Sequence, residues 1–189
     1  MTQTLKRAYI RSTLFNISFY IINILCCFLF LPSLALPRKH YLKVIDFYHA
    51  ILQALEVNIL GLNYEIRGIE NLPAKGPYII AAKHQSPYET LKLRLLFPDP
   101  AIILKRELLW IPIWGQYLQK SDVIAIDRST PDSATASIKA GACRMKAEGR
   151  PIVIFPQGTR VWPHQTTEEK PYKSGVHRIF EATNMPVIP

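Results

Sequence analysis

The 189-residue chain carries 23 Lys and Arg residues against 14 Asp and Glu residues, a formal net charge of +9. This length accommodates one domain of ordinary size and an attached segment. The charge points to an anionic partner, either nucleic acid or a membrane surface with phosphorylated ligands. Three cysteines, two of them adjacent, offer neither a disulfide framework nor a zinc-binding spacing, so a reducing compartment fits best.

The N-terminal part of the chain predicts a membrane anchor. Ser12 to Leu36 contains no charged residue, and its 25 residues are enough to cross a hydrocarbon core of ~30 Å. A cleaved signal peptide is the alternative, because Ser33-Leu34-Ala35 resembles a cleavage site. The apolar run is longer than a typical signal-peptide core, which favours an uncleaved anchor. Basic residues lie on both sides of the run, so the positive-inside rule does not orient it.

The distribution of charge favours lipid over nucleic acid as the partner. No Asp or Glu precedes Asp46, whereas six Lys or Arg residues lie within residues 1–43. Much of the excess positive charge therefore brackets the apolar run, where it would meet lipid headgroups. The sequence also lacks a zinc knuckle, a basic helix and an aromatic RNA-binding signature. We predict membrane lipid as a partner and no nucleic acid.

A helix is predicted from about Tyr41 to Leu60, because apolar residues recur there at helical spacing. These residues are Leu42, Ile45, Tyr48, Ile51, Leu52, Leu55 and Ile59. The helix could pack against a core or lie along the membrane interface, and periodicity does not choose between the two. The predicted organisation is a basic flank and anchor at 1–38, this amphipathic helix at 39–61, and a globular domain at 62–189.

The globular part alternates strand-like and helix-like segments. A short alternating strand is predicted at Tyr64–Ile66. Apolar strands are predicted at 78–82, 101–104, 123–126, 152–155 and 187–188. Helical patterns occupy 87–97, 133–148 and 175–183, with a short aromatic helical piece at 109–118. This alternation predicts an α/β domain with a mixed, largely parallel sheet covered by helices.

The stretch from Lys83 to Thr90 carries a helix-start signature. Ser86 is a favourable N-cap, Pro87 suits the first helical position, and Glu89 stands three residues after the cap. His84 then lies in the loop before the helix, beside a carboxylate of the first turn. Two interpretations follow. Glu89 could only close a capping box on Ser86, or it could orient the imidazole of His84 while the other ring nitrogen accepts a proton.

Further polar residues follow the ends of the predicted strands, where open α/β sheets bind their ligands. They are Lys105, Arg106, Asp127, Arg128 and the loop from Gln157 to Arg160. Within that loop, Gly158 permits close approach of the backbone, Thr159 offers a hydroxyl, and Arg160 offers a planar fork suited to phosphate. A tight turn with an exposed arginine is the alternative. Together with His84, the set predicts a site that binds an anion and moves a proton.

At this point the sequence resembles the glycerophospholipid acyltransferases, specifically the bacterial 1-acylglycerol-3-phosphate acyltransferases. His84 to Glu89 matches the His-x4-Asp box of that family, and Ala125 to Arg128 matches the block that ends in Ile-Asp-Arg. Phe155 to Arg160 matches Phe-Pro-Glu-Gly-Thr-Arg, and Met185 to Pro189 matches a Val-Pro-x-x-Pro strand. The resemblance covers residues from about 60 to the end.

The resemblance implies an enzyme that transfers a fatty acyl group to lysophosphatidic acid, making phosphatidic acid in phospholipid biosynthesis. The co-substrate would be acyl-CoA or acyl carrier protein, with no metal and no prosthetic group. His84 would be the catalytic base and Glu89 would orient it. Arg128 and Arg160 would hold the acceptor phosphate on a loop shaped by Gly158 and Thr159. Weaker phosphate candidates are Lys83 and Lys105.

The sequence departs from the family pattern at several positions. Glu89 stands where Asp is usual, and Gln157 replaces the usual Glu, which implies that this side chain orients the loop. Ser121-Asp122 stands where a Gly often begins the second block. The chain stops at Pro189, inside the fourth block, so we expect a truncated fragment.

These departures keep other functions open. The chain could acylate another lysolipid or glycerol 3-phosphate, or be an inactive membrane-tethered lipid-binding remnant. The expected location is the inner, cytoplasmic membrane, with a single N-terminal anchor and the catalytic domain facing the cytoplasm, where acyl thioesters are made. Acyl-chain length, the thioester donor and the oligomeric state are not set by the sequence.

Overall fold

The structure, a computed structural model, describes residues 3–73 and 76–189. The chain divides into two compact units, Met1–Ile69 and Glu70–Pro189. The predicted boundary at 61/62 stays a prediction, and the first two residues of the predicted basic flank lie outside the described residues.

The first unit is helical. It contains α1 (Gln3–Leu29), a 3-10 helix (Leu31–Ala35), α2 (Arg38–Leu55) and a π-helical turn (Glu56–Leu60). Helix α1 begins before the predicted uncharged run, so Lys6, Arg7 and Arg11 lie within it. It also ends before Leu36, because Pro32 lacks a backbone N–H and disfavours a continuous helix.

Helix α1 is long and apolar enough to cross a membrane. The qualifying segment, Leu5–Leu29, has 25 residues and a mean hydropathy of 1.8, and 6% of its most apolar window is buried. A signal sequence would meet the same criteria, so the helix supports membrane anchoring through its length and composition alone.

Within this unit, α2 packs on α1 through polar and aromatic contacts. The Tyr48 hydroxyl donates to the amide oxygen of Asn23, and the ring of Phe30, which follows α1, lies 6.3 Å from the ring of Phe47. Tyr41 of α2 is fully buried, whereas Phe47 is 59% exposed. The helix therefore has a packed side and an exposed side, and its predicted interfacial position stays a prediction.

The prediction of a strand at Tyr64–Ile66 is wrong. Residues 61–68 adopt no regular secondary structure, and the side chains of Leu62, Tyr64 and Ile66 are exposed. Alternation of apolar residues marks a strand only where a neighbouring strand supplies hydrogen bonds. Among the described residues, no strand pairs with this segment.

The second unit is built on a five-stranded sheet. The strands are β1 (Ile79–Ala81), β2 (Ala101–Lys105), β3 (Ile124–Ile126), β4 (Ile152–Ile154) and β5 (Val187–Ile188). Their order is β3-β2-β4-β1-β5, and every pair is parallel. All five strands therefore end at the same edge of the sheet, which we call the carboxyl edge. The predicted α/β class with a largely parallel sheet is confirmed.

Helices cover both faces of this sheet. The helices of this unit are α3 (Pro87–Leu96), α4 (Trp114–Lys120), α5 (Pro131–Ala147) and α6 (Gly175–Thr183), and the two cores of the sheet include residues of α3, α5 and α6. One face packs on α5 and α6, and its buried residues include Ile79, Ile124, Ile152, Ile154, Ile138, Met145 and Ile179. The opposite face carries Tyr78, Ile80 and Val153 against Leu93 of α3. Neighbouring strand residues alternate between these two cores, as the pleat of a strand requires.

The aromatic piece predicted at 109–118 is not one helix. It forms a 3-10 helix (Arg106–Trp110) and then α4, with Ile111–Ile113 between them. Pro112 interrupts the backbone hydrogen bonding, and Ile113 has a positive φ of 63°. The other predicted strands and helices of this unit each overlap an observed one.

A buried arginine joins the amino ends of three strands. Arg150, which precedes β4, has a side chain that is only 7% exposed. It lies 3.1 Å from Asp99 before β2 and 2.8 Å from Asp122 before β3. Asp122 has a φ of 58°, the region that glycine favours. The aspartate therefore adopts a backbone conformation that favours glycine, and its carboxylate binds Arg150.

Candidate active site

His84 and Glu89 lie in direct contact just beyond the end of β1. The Nδ1 atom of His84 is hydrogen-bonded to Oε1 of Glu89. Their side chains are 19% and 22% exposed, so the pair is largely sheltered while still reachable from solvent. A base that an adjacent carboxylate orients has the geometry of the second and third members of a hydrolase triad.

The same carboxylate also starts α3. The Glu89 carboxylate accepts hydrogen bonds from the backbone N–H groups of Gln85 and Ser86, at 2.9 and 3.0 Å. The Ser86 hydroxyl accepts a hydrogen bond from the backbone N–H of Tyr88 at 3.0 Å. Ser86 and Glu89 thus form a capping box. The two interpretations of Glu89 are therefore compatible, because one carboxylate makes both sets of contacts.

The ionisation of Glu89 determines the tautomer of His84. Burial raises the pKa of Glu89, but hydrogen bonds from His84 and Ser86 lower it more, so the net shift is downward. Glu89 is then an acceptor-only carboxylate at neutral pH. In the hydrogen bond between the two residues, Nδ1 of His84 must therefore be the donor and carry the proton. In that tautomer of the neutral imidazole, Nε2 has a lone pair that can accept a proton.

Two contacts from the β4 side fix the histidine loop. The Phe155 ring stacks on the His84 imidazole with centroids 4.2 Å apart and an interplanar angle of 23°. The N–H of Val161 donates to the carbonyl of His84 at 2.7 Å. The sequence analysis missed both partners. Phe155 belongs to the quoted loop motif, but its stacking on His84 depends on β1 and β4 being neighbours in the sheet.

The loop after β4 presents several cationic groups. Gly158 has a φ of 67°, and the side chain of Lys173 covers it, with Cδ 3.3 Å from the position of an added Cβ. Arg128 reaches the carbonyl of Gly158 at 3.5 Å. Thr159 and Arg160 are exposed beside it. The structure thus brings Arg128 to the Gly158–Arg160 loop, as an anion site requires.

Lys173 is a cation that the sequence analysis did not single out. Its backbone N–H donates to the carbonyl of Pro156 at 2.9 Å, which holds it against the loop. Its ammonium nitrogen lies 3.4 Å from the same Cβ position at Gly158. Nothing in the sequence around Lys173 indicates that it lies beside Gly158, because only the fold brings these two residues together.

The weaker candidates differ in their surroundings. Lys83 directs its ammonium at the backbone carbonyls of Pro163 and Gln165, at 3.4 and 3.5 Å, which suits a loop tie better than a phosphate ligand. Lys105 is exposed at the end of β2. Arg106 forms an ion pair of 2.8 Å with Asp127, which joins the ends of β2 and β3. Hydrogen bonds from Ser129, and the charge of Arg106, lower the pKa of Asp127.

Gln157 is buried in this loop, with 5% of its surface exposed. Its side-chain oxygen has no hydrogen-bond partner among the described residues. A buried acceptor without a hydrogen-bond partner is energetically unfavourable. The loop-orienting role predicted for Gln157 stays a prediction.

The described residues contain no group of three His, Cys, Asp or Glu side chains that could hold a metal ion. The site brings together the histidine pair and the cationic loop, an arrangement that suits removal of a proton beside a bound anion.

Comparison with known proteins identifies the family. A family model described as Acyltransferase matches residues 63–189. The chain belongs to the acyltransferase family. Every residue of the candidate site, from Lys83 to Lys173, lies within the matched region.

Relatives in this family carry a common name. The chain is 37% identical over 131 residues to the 1-acyl-sn-glycerol-3-phosphate acyltransferase of Pseudomonas aeruginosa, covering 69% of this chain and 49% of that protein. It is 31% identical over 144 residues to the Saccharomyces cerevisiae protein of the same name, covering 76% of this chain and 45% of that protein. The chain thus spans about half the length of these acyltransferases.

A solved structure shares the acyltransferase fold. The 1-acyl-sn-glycerophosphate acyltransferase PlsC from Thermotoga maritima aligns with a TM-score of 0.72 and 24% sequence identity. The alignment covers 96% of this chain and 74% of that chain. At this identity the likeness establishes the fold.

Proposed function

We propose that this chain transfers a fatty acyl group from an acyl thioester to the free hydroxyl of 1-acylglycerol 3-phosphate, making phosphatidic acid. The observation that carries the proposal is the His84–Glu89 pair, held beside a cationic loop at the carboxyl edge. Such a site suits an acceptor that bears both a hydroxyl and a phosphate. The names of the P. aeruginosa and S. cerevisiae relatives support the same acceptor.

In the proposed mechanism, Nε2 of His84 removes the proton from the acceptor hydroxyl as its oxygen attacks the thioester carbonyl. The resulting tetrahedral intermediate collapses, the C–S bond breaks, and the imidazolium returns the proton to the departing thiolate. Glu89 stabilises the imidazolium between these two steps. No serine nucleophile is required, because the attacking oxygen belongs to the acceptor. No metal or prosthetic group takes part in this proposal.

The acceptor phosphate would lie at the loop from Gly158 to Arg160. Arg128 approaches this loop closely enough to contact the carbonyl of Gly158, and Arg160 can bind phosphate through two parallel hydrogen bonds. We propose Lys173 as a third cation of this site, because its side chain covers Gly158.

The donor and the acceptor can be established together. Purified protein is supplied with labelled acyl-CoA or labelled acyl carrier protein, and with lysophosphatidic acid, lysophosphatidylcholine or glycerol 3-phosphate. The proposal expects transfer to lysophosphatidic acid above the other acceptors, with loss in His84→Ala. Preferred transfer to a different acceptor would reassign the substrate. Retention of lysolipid with no transfer to any acceptor would indicate a binding protein.

We further propose that α1 anchors the protein in the inner membrane, with the second unit on the cytoplasmic side, where acyl thioesters are made. The uncharged part of α1 supports the anchoring. Removal of residues 1–38 should release much of the protein from membranes. Protection of the second unit against a protease added from the cytoplasmic side would contradict the orientation.

A further inference from the structure

All three tryptophans of the chain are exposed to solvent. Trp110 is 74% exposed, Trp162 is 68% exposed and Trp114 is 38% exposed. Tryptophan is highly buried on average in soluble proteins, because its large ring gains most from leaving water. Exposure of all three indole rings in one compact unit is therefore unusual.

The three residues, which we call the tryptophan rim, belong to segments at the carboxyl edge. Trp110 ends the 3-10 helix that follows β2, and Trp114 begins α4 after the short segment Ile111–Ile113. Trp162 follows the loop after β4, and β4 is the neighbour of β2 in the sheet. Val161, next to Trp162, donates to the carbonyl of His84. The rim therefore shares its edge with the proposed catalytic pair.

The backbone that carries Trp110 and Trp114 is held in a fixed turn. Gly115 packs so closely that an added Cβ would lie 2.0 Å from the carbonyl oxygen of Leu109. Ile113 has a φ of 63°, a rare conformation for a β-branched residue, which persists only where the surroundings determine it. The exposure of these rings is thus a property of an ordered turn.

Positive charge accompanies the rim. Four exposed cations lie at the same edge: Lys105, Arg128, Arg160 and Lys173. Indole rings favour the headgroup level of a bilayer, where the ring is apolar and its N–H is hydrated. Basic side chains favour an anionic lipid surface. Aromatic rings and cations at one edge therefore match the headgroup level of an anionic membrane.

We propose that the tryptophan rim inserts into the headgroup region of an anionic bilayer and so holds the carboxyl edge against the lipid surface. This inference rests on the proposed function, in which the acceptor is a lipid. It assigns the second unit a membrane contact of its own, separate from the anchor in α1. An acceptor in the bilayer would then reach His84 without leaving the interface.

The test uses the fact that every tryptophan of the chain belongs to the rim. The 189-residue chain is reconstituted into vesicles of phosphatidylglycerol and phosphatidylcholine. We expect the maximum of its tryptophan fluorescence to lie at a shorter wavelength than in vesicles of phosphatidylcholine alone. Lipids brominated near the headgroup should quench it, and acrylamide dissolved in the water should quench it less than it quenches free tryptophan. Raised salt should weaken these effects, since it screens the cations.

Single-tryptophan proteins assign the contact to individual rings. Each retains one member of the rim, with Phe at the other two positions. The matched control carries Phe at all three positions together with Lys146→Trp, at the exposed last turn of α5, the end of that helix remote from the carboxyl edge. We expect brominated lipid to quench the rim positions and to leave the control emission unchanged.

Three results would overturn the proposal. One is tryptophan fluorescence of the rim that acrylamide quenches as strongly as it quenches free tryptophan, while brominated lipid does not quench it. Another is equal quenching of the control by brominated lipid, which would show that the unit meets lipid without preference for this edge. The third is a shift produced by an acidic soluble protein such as acyl carrier protein, and not by lipid. The measurement requires no turnover, so absent acyl transfer with a lipid-quenched rim would refute the proposed activity alone.

Discussion

Glu89 contacts the Nδ1 atom of His84 with the same carboxylate that closes the capping box at the start of α3. The helix start therefore places and orients the carboxylate, because the N–H groups of Gln85 and Ser86 hold its oxygens. A side chain positioned by backbone groups loses little conformational entropy when it orients the imidazole. Local helix chemistry thus pre-organises the proposed catalytic pair.

The first prediction concerns Glu89→Gln. Glutamine also serves at the third position of a capping box, so we expect the free energy of unfolding to change by about 1 kcal/mol or less. The substitution removes the charge that stabilises the imidazolium, so turnover should fall by about two orders of magnitude or more. Thermal unfolding and steady-state acyl transfer measure the two effects on the same preparation.

Ser86→Ala is the matched control for that experiment. It removes the hydroxyl that accepts a hydrogen bond from the N–H of Tyr88 and donates one to Glu89 at 3.1 Å, but it retains the carboxylate charge and its contact with His84. We expect it to lose about 1 kcal/mol of stability and to retain most of its turnover. Comparable turnover in Glu89→Gln and Ser86→Ala would show that Glu89 acts as a helix cap alone.

The second prediction is a pH dependence of stability. The pKa of Glu89 is lowered from its ordinary value of 4.5, so the folded chain holds the ionised form more tightly than the unfolded chain does. The resulting stabilisation is present above pH 4.5 and is lost as the pH falls through the folded-state pKa. The unfolding temperatures of the native protein and Glu89→Gln should therefore converge in acid. A constant difference across the acid range would contradict the shift.

Much of this site could be predicted because its signals are local or follow from sheet topology. Ser86 and Glu89 specify a helix start within four residues, so the pair with His84 is readable from spacing. Strands that alternate with helices form a parallel sheet, and this brings Arg128 and Arg160 to one edge.

The parts that could not be predicted depend on partners remote in sequence. Tyr64–Ile66 has the alternation of a strand, but no strand lies beside it among the described residues. Lys173 covers Gly158 only because the chain returns to the loop before α6. Asp122 departs from the family pattern for a reason that becomes visible only with Arg150 in place.

The third prediction concerns the proposed phosphate ligand Arg160. Arg160→Lys retains the charge but loses the planar fork that binds two phosphate oxygens, so it should replace arginine poorly. We expect the KM for lysophosphatidic acid to rise about tenfold, the loss of about 1.4 kcal/mol of binding, with a smaller change for the thioester. An equal loss of activity with an acceptor that lacks phosphate would assign Arg160 to the fold.

The fourth prediction separates the charge of Lys173 from its packing. Lys173→Met keeps an unbranched chain over Gly158 and removes the ammonium, whereas Lys173→Ala removes both. If the ammonium binds the acceptor phosphate, both variants should raise the KM for lysophosphatidic acid with little change in thermal stability. Normal kinetics in Lys173→Met, together with impaired kinetics in Lys173→Ala, would show that the lysine acts by covering the loop.

The fifth prediction concerns the amino ends of the strands, remote from the proposed chemistry. Arg150 is nearly fully buried and lies within ion-pair distance of Asp99, Asp122 and Glu148. Arg150→Met preserves most of the packing but leaves these carboxylates without their shared cation, which should cost about 3 kcal/mol of stability. Chemical denaturation measures this loss. The turnover per folded molecule should stay close to that of the native protein, since the site lies at the opposite edge of the sheet.

Arg144→Gln is the matched control, because Arg144 also forms an ion pair with Asp122. Its side chain is 46% exposed, however, and exposed pairs contribute less than about 1 kcal/mol. The expected order is therefore a large loss of stability in Arg150→Met and a small loss in Arg144→Gln. Equal losses would mean that burial does not distinguish the two arginines. A reduced turnover in folded Arg150→Met would show that the amino ends of the strands influence the carboxyl edge.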